Sequence, residues 1–148
     1  MYKSLLIATD GSELAQKAVT QGLALAKSLH AAVTFVTATA DWSATDMADR
    51  AERAADHPVE DYERRAAAWA TNVLSPCKDA AQKIGVSCTT VHAKDRPAAD
   101  GIIEHAKSGS CDLIVMSSHG RGGVGRLLFG SVATKVLTYS TIPVLICR

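Results

Sequence analysis

Hydrophobic residues recur along this chain in two rhythms. Short continuous apolar runs alternate with longer stretches in which apolar residues return every three or four positions, the signature of buried strands alternating with amphipathic helices. Ser4-Leu-Leu-Ile-Ala-Thr9 is the first run, and its lack of polar alternation predicts a strand covered on both faces. Asp10-Gly-Ser-Glu13 ends it, with Ser12 placed to cap a helix. Leu14, Ala15, Ala18, Val19, Gly22, Leu23, Ala26 and Leu29 then return at helical spacing, so residues 13–29 are predicted to form a helix with one apolar face. His30 falls at its end, and residues 31–38 read as the second strand. Strand, helix and strand in so short a stretch begin a parallel sheet.

The pattern then changes. Residues 41–65 hold eight acids against four arginines, a solvated acidic connection that runs into a helix begun by Pro58. Residues 66–70 with Val73 and Leu74 supply its packing side. Pro76 predicts a kink or a cap and restart, since it removes an internal hydrogen bond, and helical character resumes as far as Lys83. Strand three is expected over residues 86–91, at or near an edge because it alternates more than the others. The next helix is expected over residues 96–107, with Pro97 in its first turn, Asp95 and Asp100 in cap or first-turn roles, and Gly109 ending it. Strand four is expected at residues 111–116, the last helix at 131–139 and strand five at 142–147. Pro143 cannot donate to a ladder, so strand five lies at an edge or begins pairing after the proline.

The expected fold class is therefore α/β, a single doubly wound sandwich over residues 1–148 with a five-stranded parallel sheet in the order 3-2-1-4-5. The length fits one domain. An apolar edge strand needs a cover, and a homodimer through residues 142–147 is the simplest one. No run approaches a membrane span and no signal-peptide pattern opens the chain, so a cytoplasmic location without a membrane partner is expected. Cys77, Cys88, Cys111 and Cys147 form no C-x-x-C pair and read as inert reduced thiols.

Charge then draws attention to one end. Sixteen Lys and Arg against fifteen Asp and Glu leave +1 overall. Asp112 is the last acid, and Arg121, Arg126, Lys135 and Arg148 follow it, so residues 113–148 carry +4. Within that stretch lies His119-Gly-Arg-Gly-Gly-Val-Gly-Arg-Leu-Leu-Phe-Gly-Ser131, whose glycines allow a tight loop to bring backbone N–H groups to a ligand. The helix after Gly130 and Ser131 presents further unpaired N–H groups and the positive end of a dipole, which together suit phosphate.

Two familiar phosphate motifs do not fit. The spacing Gly120-x-Gly122-x-x-Gly125 follows the fourth strand, and no acid remains downstream to take a ribose, so it is not a dinucleotide fingerprint. Walker A spacing also ends wrongly, in Arg126 and Leu127 rather than Lys and Ser or Thr. What remains is a glycine loop that wraps phosphates beside the end of strand one. There Asp10 either contacts a ribose or base or, as a turn residue, satisfies its own backbone.

The chain resembles the universal stress protein family along its whole length. The likeness is carried by Ile7-Ala-Thr-Asp-Gly-Ser12, by Ile114-Val-Met-Ser-Ser-His-Gly-Arg-Gly-Gly123, by Leu128-Phe-Gly-Ser-Val132 and by Ile142-Pro-Val-Leu-Ile146. Nucleotide-binding members share glycine, two residues, glycine, nine residues, glycine, then Ser or Thr. Gly120, Gly130 and Ser131 match the later part, while Ser117 replaces the first glycine. Its side chain narrows the space there and adds a hydroxyl able to bond to a phosphate.

By that resemblance Ala8, Thr9 and Asp10 contact adenosine, and Ala38 lies near a backbone contact to adenine. Met116, Ser117, Gly120, Gly130, Ser131 and Val132 line the ribose and phosphate side. The implied function is a stress-response regulatory protein that binds ATP, with Mg2+ on the phosphates and slow hydrolysis at most; dimers through the last strand are the implied assembly. Two other readings stay open: a dimeric stress protein that binds no nucleotide and acts through its surfaces, and a nucleotide-alpha hydrolase or adenylyl-transferring enzyme.

His119 has no orienting acid in view and is read as a turn or phosphate-adjacent residue rather than a general base. His57, His92 and His105 show no metal-ligand spacing. Trp69 is read as core, Trp42 as a cover for the pocket mouth or a pin for its loop, and Arg121 and Arg126 as meeting polyphosphate or solvent. Sparse aromatics, at 5%, and few basic residues leave no platform for nucleic acid.

Overall fold

The computed structural model describes residues 1–39, 58–120 and 129–148. The chain runs β1 (Ser4–Ala8), α1 (Glu13–Leu29), β2 (Ala32–Ala38), α2 (Pro58–Lys83), β3 (Cys88–Ala93), α3 (Ala98–Ser108), β4 (Leu113–Ser117), α4 (Ser131–Tyr139) and β5 (Val144–Cys147). The strands form one parallel sheet in the order β3-β2-β1-β4-β5. Strand order reverses between β1 and β4: from β1 the chain moves outward through β2 to β3, then crosses back to β4 and continues to β5. A crevice opens at such a point, beyond the carboxyl ends of the two strands.

Side chains alternate across the sheet with a period of two and divide the core into two layers. Leu5, Ile7, Val33, Phe35, Leu113 and Val115 face α1 and α2, packing with Ala18, Val19 and Leu23 of α1 and Leu74, Cys77 and Ala81 of α2. Leu6, Ala8, Val36, Ile114 and Met116 face α3 and α4, against Ile102, Ile103, Ala106, Ala133 and Val136. Burial on both faces is why β1 and β4 read as unbroken apolar runs. None of the described helices is long and apolar enough to cross a membrane.

Most element bounds follow local chemistry. Ser12 accepts the Ala15 N–H at 3.2 Å and caps α1, while His30 closes it in the left-handed conformation, with φ 53°. α2 begins at Pro58 and runs through Pro76 without a break, which sets aside the cap and restart. Asn72 and Pro76 both face solvent, so water can meet the carbonyl that the proline leaves without a donor.

Strand β2 begins one residue later than the patterning suggested, at Ala32, and three strands begin two residues later. β3 pairs from Cys88 rather than residue 86, because Val86 spends its N–H on Ala81 O in closing the end of α2. β4 starts at Leu113 rather than residue 111: Cys111 N–H bonds to Ala106 O, and the Asp112 carboxylate takes the N–H groups of Lys3 (2.7 Å) and Ser4 (3.1 Å). β5 starts at Val144, just after Pro143, and both it and β3 lie at sheet edges. Pro97 stands at the N-cap position of α3, without a side-chain cap, rather than in its first turn, while Asp100 does lie in that turn. Residues 41–57 of the acidic connection, with Trp42 and His57, and the loop arginines Arg121 and Arg126 lie outside the described residues.

Candidate functional site

At the reversal between β1 and β4 the strand ends and two helix starts enclose a cavity of about 490 Å3, within the range of small-molecule sites. It opens on the α3–α4 side of the sheet. Its floor continues the second core: Ala8, Val36 and Met116 from the strands, Ala98 and Ile102 from α3, and Ala133 from α4. Ala38 at the end of β2 lies along the same wall. The alanines at 8, 38, 98 and 133 leave room that larger side chains would fill.

The turn after β1 forms one polar wall. Thr9 N–H bonds to Val36 O at 2.9 Å, tying the ends of β1 and β2 together. Asp10 accepts the Ser12 N–H on Oδ1 at 2.9 Å, so the helix-entry role holds. Its other oxygen, Oδ2, faces the opposite wall, where a Cβ on residue 120 would come within 2.7 Å of it. Glycine at 120 is therefore what lets the two walls approach; alanine would displace the carboxylate.

The turn after β4 forms that opposite wall. Ser117, 8% exposed, donates its hydroxyl to His119 O at 2.7 Å. The hydroxyl that takes the place of the first motif glycine is thus engaged with its own turn. Buried Ser118 donates its N–H to Cys147 O (3.0 Å) and accepts the Gly130 N–H (2.7 Å) on its carbonyl. Its hydroxyl lies 3.2 Å from His119 Nδ1, which orients the imidazole at the cavity edge.

The third component is the start of α4. Gly130 is its N-cap and supplies no side-chain cap, and the first turn contains no acid. α1 differs at both points, having the Ser12 hydroxyl over its amides and Glu13 in its first turn. The uncapped N–H groups and dipole of α4 consequently give this end of the cavity a preference for negative charge. A Cβ at residue 130 would rest against His119 Cα and Ser118 O, both at 3.4 Å, so the turn after β4 and the start of α4 lie close against each other here. With an apolar floor, a carboxylate wall and an anion-attracting corner, the residues present fit an adenine nucleotide.

All ten residues singled out in the sequence line this one cavity: Ala8, Thr9, Asp10, Ala38, Met116, Ser117, Gly120, Gly130, Ser131 and Val132. His119, read as a turn residue, lines it too. Sequence reasoning missed Val36, Ala98, Ile102, Ser118 and Ala133. The apolar members of that set recur at ordinary core spacing, and only their closeness to a strand end or a helix start marked them. Among the described residues no group of three or more His, Cys, Asp or Glu could hold a metal ion.

Burial, and then the neighbouring Cys88, raises the Cys77 thiol to about 11, and burial also raises that of Cys147. His92 on β3, 2.8 Å from Thr39 Oγ1, is held below its usual value of 6.5 by burial and then by Lys94, with Asp95 opposing.

Known proteins resemble this chain in sequence and in fold. The universal stress protein YxiE of Bacillus subtilis is 30% identical over 149 residues, covering all of both chains. The solved structure of the protein MJ0577 superposes with a TM-score of 0.82 at 24% identity, over 99% of this chain and 96% of that one. A universal stress protein from Archaeoglobus fulgidus, solved in complex with dAMP, gives a TM-score of 0.69 at 19% identity, over 99% and 98% of the two chains. At those identities the structural likenesses are of fold alone. The model of the universal stress protein family matches residues 1–148, and with the full-length relative this makes the chain a member of that family.

Proposed function

We propose that this chain is a regulatory protein of the stress response that binds an adenine nucleotide, ATP, with Mg2+ carried on its phosphates and slow hydrolysis at most. The observation that carries this reading is the uncapped, acid-free start of α4 at one end of a cavity whose other end is apolar. The floor of Val36, Ala98 and Ile102 suits the faces of a purine, Asp10 suits a ribose hydroxyl, and the Ser131 and Val132 amides suit phosphate oxygens. The Archaeoglobus fulgidus relative with dAMP supports an adenylate as ligand. The choice of ATP over a monophosphate rests on the family motif that Gly120, Gly130 and Ser131 match.

Among the described lining residues only Asp10 and His119 are titratable, Asp10 already accepts the Ser12 N–H, and His119 Nδ1 lies against the Ser118 hydroxyl. His119 Nδ1 is thus turned to a hydroxyl rather than to an orienting carboxylate, which favours a binding protein over an enzyme.

Titrating nucleotide-stripped protein with Mg-ATP in a calorimeter tests this. Saturable heat and a rise in Tm are expected, and no heat with no thermal shift at millimolar ATP rejects it. The same reading includes a homodimer through residues 142–147. β5 is an edge strand with Leu145 38% exposed, and Leu137 and Tyr139 on α4 add apolar surface, exposed by 42% and 68%. A monomer mass by light scattering would remove the dimer.

A further inference from the structure

A contact outside the cavity lining bears on how its anion end is held, and its bearing on ligand rests on the nucleotide reading above. Phe129 immediately precedes Gly130 and packs, partly buried, against the second core. The guanidinium carbon of Arg148 stands 5.4 Å from the centroid of that ring, within the distance at which a ring face attracts a cation. A second tie comes from the adjacent residue, since Cys147 O accepts the Ser118 N–H, and Ser118 O in turn accepts the Gly130 N–H. Both segments that supply the corner, residues 117–120 and 129–132, are therefore fastened to residues 147 and 148, one by a backbone hydrogen bond and the other by a ring contact.

Gly130 has neither a capping group nor a side chain to pack, so its neighbours set the direction of the first turn of α4. Ser118 O holds the Gly130 N–H, and Phe129, packed on the second core, directly precedes it. Neither Phe129 nor Arg148 lines the cavity. We propose that Arg148 is a positioning residue for the anion end of the site: by holding the Phe129 ring it fixes where the Ser131 and Val132 amides point, without touching the ligand. Direct attraction between the Arg148 charge and a phosphate predicts something different, an effect that survives loss of the ring.

Arg148→Gln, Phe129→Leu and their double variant separate these. In ligand-free protein, amide hydrogen exchange at Gly130 is expected to quicken about fivefold in each single variant, the factor that an exposed cation–ring contact supplies. Unchanged exchange overturns the proposal. With ligand, each single variant is expected to bind ATP about fivefold more weakly and adenosine as before. The double variant should be no worse than the weaker single one, and Arg148→Lys should retain most of the wild-type affinity. Equal losses for ATP and adenosine, or a further loss when Arg148→Gln is added to Phe129→Leu, would also overturn it. If the wild-type protein takes up no ATP, the nucleotide reading fails alone, and the exchange rates still decide whether Arg148 sets this turn.

Discussion

The two faces of the sheet are built from the same strands and end differently. On one face lie the longer helices, α1 with 17 residues and α2 with 26, and Phe35, Leu5, Ile7 and Val115 are sealed beneath them with no exposure. On the other, α3 has 11 residues and α4 has 9, and both begin at the cavity rather than across it. Alanines at 8, 38, 98 and 133 occupy places where larger side chains would fill that space. Stability and binding are thereby divided between faces: one is packed tightly enough to support the sheet, and the other leaves a void that a ligand can complete.

The largest expected effect tests that division directly. Phe35→Ala removes a fully buried ring from the closed face and should cost about 3–5 kcal/mol in urea unfolding, with ATP affinity unchanged where the variant is folded. Ile102→Ala, on the cavity floor, should cost about 2 kcal/mol, at the low end of such truncations, and should weaken ATP binding. If Ile102→Ala proves the costlier of the two, or if Phe35→Ala weakens binding as much, the faces do not divide the work.

Gly130→Val comes next. The φ of −72° at this position is one that valine adopts readily, but its branches would press on the turn at Ser118 and His119, so Tm should fall modestly. Pushing that turn and the start of α4 apart should lower ATP affinity at least about tenfold, equivalent to about 1.4 kcal/mol. Unchanged affinity, measured by calorimetry, would mean that the site has been located wrongly.

The smallest effect concerns the edge of the sheet away from β5. His92 has a folded pKa below the usual 6.5, from burial first and Lys94 second, so the folded state favours its neutral form. Its contribution is complete above pH 6.5 and is lost as pH falls from there toward the folded value, because the unfolded chain binds the proton more readily. The wild-type urea midpoint should therefore decline on acidification through that window, and His92→Gln should decline less. An equal decline in both would show that His92 does not contribute.

Much of this was legible locally. The apolar spacing of residues 13–29, Ser12 before them and His30 after them specify α1 to the residue, and Gly130 with Ser131 marks the start of α4 equally well. Strand starts were less legible, because Val86 and Cys111 are apolar whether they pair in a ladder or close a helix end. The family motif drew attention to the polar corner. It gave no sign that the Ser117 hydroxyl would turn to His119 O.

The sequence by itself determined the alternation of strands and helices, the caps, and the concentration of glycine and positive charge after Asp112, since each depends on neighbours a few residues apart. Only the tertiary structure decided that Val36, Ala98, Ile102 and Ala133 line a void instead of filling the core, and that residues 147 and 148 hold the turns around it. An apolar residue has the same spacing in either setting. Whether it meets a side chain or empty space depends on segments distant in the chain, and on how far each helix extends over the sheet.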